Sequence, residues 1–92
     1  MARKYQEMVG LGLDIAQMIA LEGLSLTMAS KELRIHSKDA KRYLLKAYSY
    51  YDFQSSRNSN NQLFHENLEL CCNALKLIDK RNIKLNAYYG GS

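Results

Sequence analysis

Apolar residues recur every three or four positions along most of this chain, which is the period of one face of an α-helix. No proline occurs in the 92 residues, so nothing in the sequence forces a break inside these periodic segments. A chain of this length forms one small domain. The sequence therefore predicts a single all-α domain, residues 1–92, built as a small bundle of about four helices.

The predicted helices cover about residues 3–21, 25–33, 37–51 and 61–80. Gly10 and Gly12 weaken the first helix and allow a loose first turn, and Gly23 stops it. Ser25 or Thr27 caps the second helix, and the Ser37 hydroxyl caps the third. Residues 54–61 contain no apolar side chain and form the clearest loop. In residues 83–89 apolar positions alternate, which suits a short C-terminal strand or else a disordered tail, frayed at residues 90–92.

Residues 26–44, LTMASKELRIHSKDAKRYL, have the pattern of two helices that meet through a tight turn. Small Ala29 and Ser30 stand where the two helices approach, next to apolar Leu33, and apolar Ile35 occupies the turn. The apolar positions of the second helix that face the first are Ala40, Tyr43 and Leu44. This segment resembles the helix-turn-helix of bacterial and phage transcription regulators. The resemblance implies a helix-turn-helix over about residues 25–51, with the third helix in the major groove of DNA.

The turn differs from the usual pattern at one position. Arg34 stands at the turn position where most such motifs have glycine. Glycine is common there because the residue at this position often adopts a left-handed backbone conformation. Arginine in that conformation costs on the order of 1 kcal/mol. Shifting the alignment by one residue would place Leu33 there and expose a large apolar side chain, so the alignment on Arg34 is preferred.

Positive charge is concentrated in the same region. Residues 31–46 contain six basic and two acidic side chains, a net charge of +4, and the charges of all other residues cancel. Such a local excess is typical of a surface that contacts phosphates.

The candidate DNA-binding residues follow from placing the third helix in the groove. Arg42 is the best candidate for a bidentate contact with guanine, Lys38 and Lys41 reach guanine or phosphate, and Thr27 bonds phosphate. Leu45 interrupts the basic face and is expected to pack inward or against a partner. The predicted site residues are Thr27, Arg34, His36, Ser37, Lys38, Lys41, Arg42 and Lys46.

The fourth helix carries a broad apolar stripe that suggests a contact between chains. Its residues are Phe64, Leu68, Cys71, Leu75 and Ile78. In dimeric regulators a terminal helix commonly pairs with its mate, so a homodimer is predicted. The alternatives are that the stripe binds another protein, or that it covers the other helices within one chain.

Other classes of function receive little support from the sequence. The two histidines lie on different elements, Cys71 and Cys72 are adjacent and suit small buried apolar side chains, and no segment is apolar enough to cross a bilayer. We therefore expect no enzyme activity, metal or cofactor, no membrane partner, and a cytoplasmic location. The predicted function is sequence-specific binding of double-stranded DNA by a small bacterial or phage transcription regulator. The alternative is a protein-interaction module, binding for example a polymerase subunit or another regulator through the fourth helix.

Overall fold

The computed structural model describes the backbone of residues 3–90 and the side chains of residues 3–80. Over this range the chain forms four α-helices and no strand: α1 (Tyr5–Ala20), α2 (Leu26–Glu32), α3 (Ser37–Arg57) and α4 (Gln62–Gly90). α1, α3 and α4 pack on one another, while the short α2 packs on α3 and α1. The all-α prediction is confirmed.

The core lies where α1, α3 and α4 meet. Its buried apolar side chains are Val9, Ile15, Ala16, Ile19, Ala29, Ala40, Tyr43, Leu44, Ala47, Tyr51, Cys71, Ala74 and Ile78. Many of them are small, and the helices can therefore approach closely in a chain with little apolar surface to bury.

The closest approach of α1 to α3 is at Gly12. A Cβ atom at this position would overlap the carbonyl oxygen of Tyr43 and lie 2.7 Å from the Cβ of Ala47. Glycine is required here because the backbone of α1 occupies the space that any side chain would need. α1 nevertheless runs unbroken from Tyr5 to Ala20, so Gly10 and Gly12 do not create the loose first turn that the sequence suggested.

The turn between α2 and α3 has the conformation expected from the sequence. Arg34 has φ +56°, whereas Leu33 remains helical at φ −92°. The N–H of Arg34 donates to the carbonyl of Lys31 at 3.1 Å, and the N–H of Ile35 donates to the carbonyl of Ser30 at 3.0 Å. This pair of hydrogen bonds is the Schellman arrangement, in which the left-handed residue is usually glycine. The left-handed residue of this turn is therefore Arg34 and not Leu33, as expected from the sequence.

The helix caps agree with the sequence in one case and differ in another. The Ser25 hydroxyl accepts from the N–H of Met28 at 3.1 Å and caps α2 as predicted. The cap of α3 is one residue earlier than expected, because His36 has the extended backbone of a cap and its Nδ1 accepts from the N–H of Lys38 at 3.3 Å. Ser37 is therefore the first helical residue and not the cap.

α3 and α4 are longer than predicted. α3 continues to Arg57 because the hydroxyls of Ser55 and Ser56 are accommodated within the helix, where both donate to the carbonyl of Asp52. The loop is reduced to residues 58–61, and the side chain of Asn61 caps α4 by accepting from the N–H groups of residues 63 and 64.

At its other end, α4 runs to Gly90, so the predicted strand at residues 83–89 is wrong. A helix forms hydrogen bonds between its own backbone N–H and C=O groups. A strand needs a neighbouring strand for these hydrogen bonds, and the described part of the chain contains none. The fraying expected at the end of the chain falls partly on Gly91 and Ser92, which lie outside the described residues.

Candidate nucleic-acid interface

One face of α3 combines exposed basic side chains with an exposed leucine. Successive helical residues are turned by about 100°, and the core side of α3 is formed by buried residues such as Ala40 and Leu44. Lys38, Arg42 and Leu45 therefore point away from the core. The basic side chains Lys38, Lys41 and Arg42 are all exposed, so a row of cations follows the first two turns of the helix.

This face borders a concave surface shared with the start of α2, which we call the α2–α3 groove; its volume is about 450 Å³. Five predicted site residues line it: Thr27, Ser37, Lys38, Lys41 and Arg42. Two apolar side chains, Leu26 and Leu45, complete the lining. The groove therefore combines an apolar wall with a basic rim, and sequence reasoning did not assign either leucine to the site.

A second concave surface lies on the other side of α3, against the start of α1. This α1–α3 cleft has a volume of about 940 Å³. Its basic and imidazole side chains are Arg3, Lys4, Arg34, His36, Arg42 and Lys46. Glu7 and Asp39 are the acidic residues that line it, so the cleft is net positive.

The eight predicted site residues are thus divided between two surfaces. The groove holds those at the start of α2 and α3, whereas Arg34, His36 and Lys46 lie in the cleft; Arg42 borders both. Sequence reasoning missed Arg3 and Lys4, which are far from residue 34 in the chain. Their positive charge was the only available signal, because the contact depends on how α1 packs across α3.

Arg42 forms a ridge between the two surfaces. Its guanidinium lies 3.3 Å from the Asp39 carboxylate and 5.5 Å from the centre of the Tyr43 ring. Both groups of the ion pair are about half exposed, and an ion pair of this kind contributes at most about 1 kcal/mol. The guanidinium has five N–H donors, so an incoming acceptor can bind it without first overcoming a strong internal contact.

Of the two placements expected for Leu45, packing inward is wrong, and packing against a partner stays a prediction. Its side chain is 45% exposed, although α3 buries six of its other residues. The reason is its position on α3, one residue beyond buried Leu44 and therefore turned about 100° from it.

The apolar stripe of α4 faces the interior of the chain. Cys71 and Ile78 are 0% and 5% exposed, and the other stripe residues Phe64, Leu68 and Leu75 are partly buried against the same core. This differs from the predicted dimer or partner interface and matches the alternative in which the stripe covers the other helices. A chain this small needs α4 to close its core, so the stripe offers a second copy or another protein only the partly exposed edges of Phe64, Leu68 and Leu75.

In residues 3–80, no three His, Cys, Asp or Glu side chains come together as ligands for a metal ion. Burial raises the pKa of the Cys71 thiol to about 12, with a smaller contribution from Cys72. The Cys71 thiol is therefore protonated at neutral pH and is a buried apolar group, as predicted. Among the described helices, none is both long and apolar enough to span a bilayer.

Among known proteins, no family model matches the chain, and neither a curated protein nor a solved structure is significantly similar to it. The function must therefore be argued from the residues and surfaces described above.

Proposed function

We propose that this chain is a small, non-catalytic transcription regulator that binds double-stranded DNA sequence-specifically, with α3 in the major groove. The observation that carries the proposal is the exposure of Lys38, Lys41 and Arg42 on one face of α3, beside the start of α2. The major groove is about 12 Å wide and admits one α-helix. A helix with a row of cations facing solvent suits that groove, since bases lie at its floor and phosphates along both edges.

The two concave surfaces support this orientation because they flank α3 on opposite sides. With α3 in the groove, Thr27 and Lys38 face the phosphates of one strand and Arg34 and Lys46 face those of the other. Arg42 lies between them, where its planar guanidinium suits the O6 and N7 atoms of guanine. The charges of the cleft therefore fix the register of the helix, and the face between the two surfaces reads the bases.

The N-terminal basic residues extend the same surface. Arg3 and Lys4 line the cleft with Arg34 and Lys46, and each cation that neutralises a phosphate releases a condensed counterion. The logarithm of the binding constant then falls with the logarithm of salt concentration, by about 0.9 for each contact on duplex DNA. Binding through both surfaces is expected to be steeply salt-dependent.

We further propose that two copies of the chain bind adjacent half-sites of the DNA, with their α3 helices about 34 Å apart. Since most of the α4 stripe packs on the core, the contact between copies is proposed to use another surface or the partly exposed edge of this stripe. Sedimentation velocity of the chain, alone and with duplex DNA, measures whether one or two copies bind.

The proposal is tested by fluorescence anisotropy with a pool of short random duplexes, compared with the same pool as single strands, across about 50–300 mM salt. The wild-type chain is expected to prefer the duplex. The double variant Lys41→Ala/Arg42→Ala is expected to bind about tenfold more weakly and to reduce the salt slope by about 1, because Lys41 contacts a phosphate whereas Arg42 contacts a base.

The matched control is Lys76→Ala/Lys80→Ala. It removes the same charge from exposed positions of α4, outside both surfaces, and is expected to retain most of the affinity. Absence of duplex binding at low salt would refute the proposal. Equal losses in the two double variants would also contradict it, since net charge alone would then explain the binding.

A further inference from the structure

The exposed side chain of Leu45 is unusual because basic residues surround it. Lys38, Lys41 and Arg42 line the same groove, and Leu45 follows Lys41 and Arg42 by one helical turn on the same face of α3. A solvated basic face does not need an exposed leucine, because burial of this side chain would be favourable.

Other exposed leucines of the chain lie in different surroundings. Leu63, at the start of α4, is 59% exposed and lines a surface formed mainly by polar residues of the loop at 58–61. Leu21 is 70% exposed at the C-terminal cap of α1, next to Glu22. Of these three, Leu45 is the one within the basic groove.

Across the groove, Leu26 provides a second apolar side chain and Thr27 a methyl group beside its hydroxyl. An occupant that matches this lining presents both negative charge and an apolar group. The major groove of DNA has both features, because the C5-methyl group of thymine projects between the phosphate edges. Among the unmodified bases of DNA and RNA, only thymine carries this methyl group.

We propose that Leu45 determines base specificity by packing against the C5-methyl group of a thymine, so that the α2–α3 groove distinguishes thymine from uracil and cytosine. This inference rests on the proposed function and adds to it the identity of a contacted base. The polar groups of thymine and uracil in the major groove are the same, so only an apolar side chain can discriminate between them there. Leu45 has the required character, exposure and position.

The test begins with selection of the preferred duplex from a random pool by the full wild-type chain. Each thymine of that duplex is then replaced singly by uracil, which removes the methyl group and leaves base pairing unchanged. For the wild-type chain, one replacement is expected to weaken binding about fourfold, the affinity ratio that corresponds to burying one methyl group. Replacing that thymine by 5-methylcytosine, opposite guanine, tests the methyl group in a different polar context and is expected to bind more tightly than unmodified cytosine.

Three variants assign the effect to Leu45. Leu45→Ala is expected to bind the thymine and uracil duplexes equally, whereas Leu45→Met keeps an apolar side chain of similar volume and is expected to retain discrimination. Leu63→Ala removes a more exposed leucine outside the groove and is expected to behave as wild type. Because Leu45 and Leu63 are exposed, thermal unfolding of both alanine variants is expected to match the wild type.

The possible results separate this inference from the proposed function. If salt-dependent duplex binding is present but no uracil replacement changes the affinity, or if Leu45→Ala discriminates as well as wild type, the inference is overturned and DNA binding stands. If the chain binds no duplex at low salt, both are overturned, and the groove is then better suited to an acidic, partly apolar peptide.

Discussion

Replacing Gly12 by alanine is expected to destabilise the protein, although the same substitution at Gly10 is expected to stabilise it. Both glycines lie in the interior of α1, where alanine is normally better by about 0.5–1 kcal/mol because it loses less backbone entropy on folding. They differ in their surroundings. A Cβ built on Gly10 meets no atom within 4 Å, whereas one built on Gly12 overlaps the backbone of α3.

The magnitudes follow from this difference. Gly10→Ala retains the full helical gain of about 0.5–1 kcal/mol, which raises the midpoint of thermal unfolding by about 2–8 °C for a domain of this size. At Gly12 the clash is with a backbone carbonyl of Tyr43, which cannot rotate away as a side chain can. Overpacking of this kind costs about 3 kcal/mol, at the upper end of the usual range. After the helical gain is subtracted, Gly12→Ala is expected to lose about 2 kcal/mol and about 8–16 °C.

Urea and thermal unfolding followed by far-ultraviolet circular dichroism measure both variants under identical conditions. The expected separation between Gly10→Ala and Gly12→Ala is about 3 kcal/mol, and their helix contents in the absence of urea should remain close to the wild type. If Gly12→Ala were as stable as Gly10→Ala, α1 and α3 could not approach as closely as the structure shows, and the reasoning would be refuted.

Two further stability predictions concern Arg34 and Cys71. Arg34→Gly is expected to be about 1 kcal/mol more stable than Arg34→Ala in urea, because both lose the side chain but only glycine relieves the left-handed conformation; equal stabilities would contradict this. Since burial raises the pKa of Cys71 from about 9 to about 12, deprotonation favours the unfolded chain, and the stability contributed by the protonated thiol is lost as pH rises through this window. In urea titrations, Cys71→Ala is expected to lose less stability than the wild type between about pH 7.5 and about pH 10.5. Cys72→Ala is the control and is expected to lose stability as the wild type does. Equal losses in Cys71→Ala and the wild type would exclude Cys71 as the titrating group.

Much of the fold could be predicted from residue spacing. The three- and four-residue period of apolar positions, with no proline, was sufficient for four helices, and the choice between Leu33 and Arg34 at the turn followed from which side chain tolerates exposure. The ends of the helices were less predictable. In α3, the hydroxyls of Ser55 and Ser56 donate to a carbonyl within the helix, so the serine-rich segment does not end it. In α4, residues 83–89 have no strand to pair with among the described residues. These outcomes depend on hydrogen bonds that local composition does not specify.

The candidate site could be predicted only as a set of residues. The basic side chains of α3 were identifiable because neighbours on one helix face recur at a known angle. Their division between the groove and the cleft depends on how α2 and α1 pack against α3. The same packing places Arg3 and Lys4 in the cleft. The role of Gly12 was missed for the same reason, since a glycine that serves close packing and a glycine that weakens a helix look identical in sequence.

The packing of α1 and the presentation of Arg42 are connected through Tyr43. Its carbonyl oxygen is the group closest to a Cβ at Gly12, its side chain is buried, and its ring supports the guanidinium of Arg42 at 5.5 Å. A side chain at residue 12 would therefore move the segment of α3 from which Arg42 projects and would widen the α1–α3 cleft. Under the proposed function, Gly12→Ala should lose duplex affinity even at temperatures where it remains folded. Gly10→Ala should gain stability without any change in affinity, because a Cβ there reaches no atom of α3.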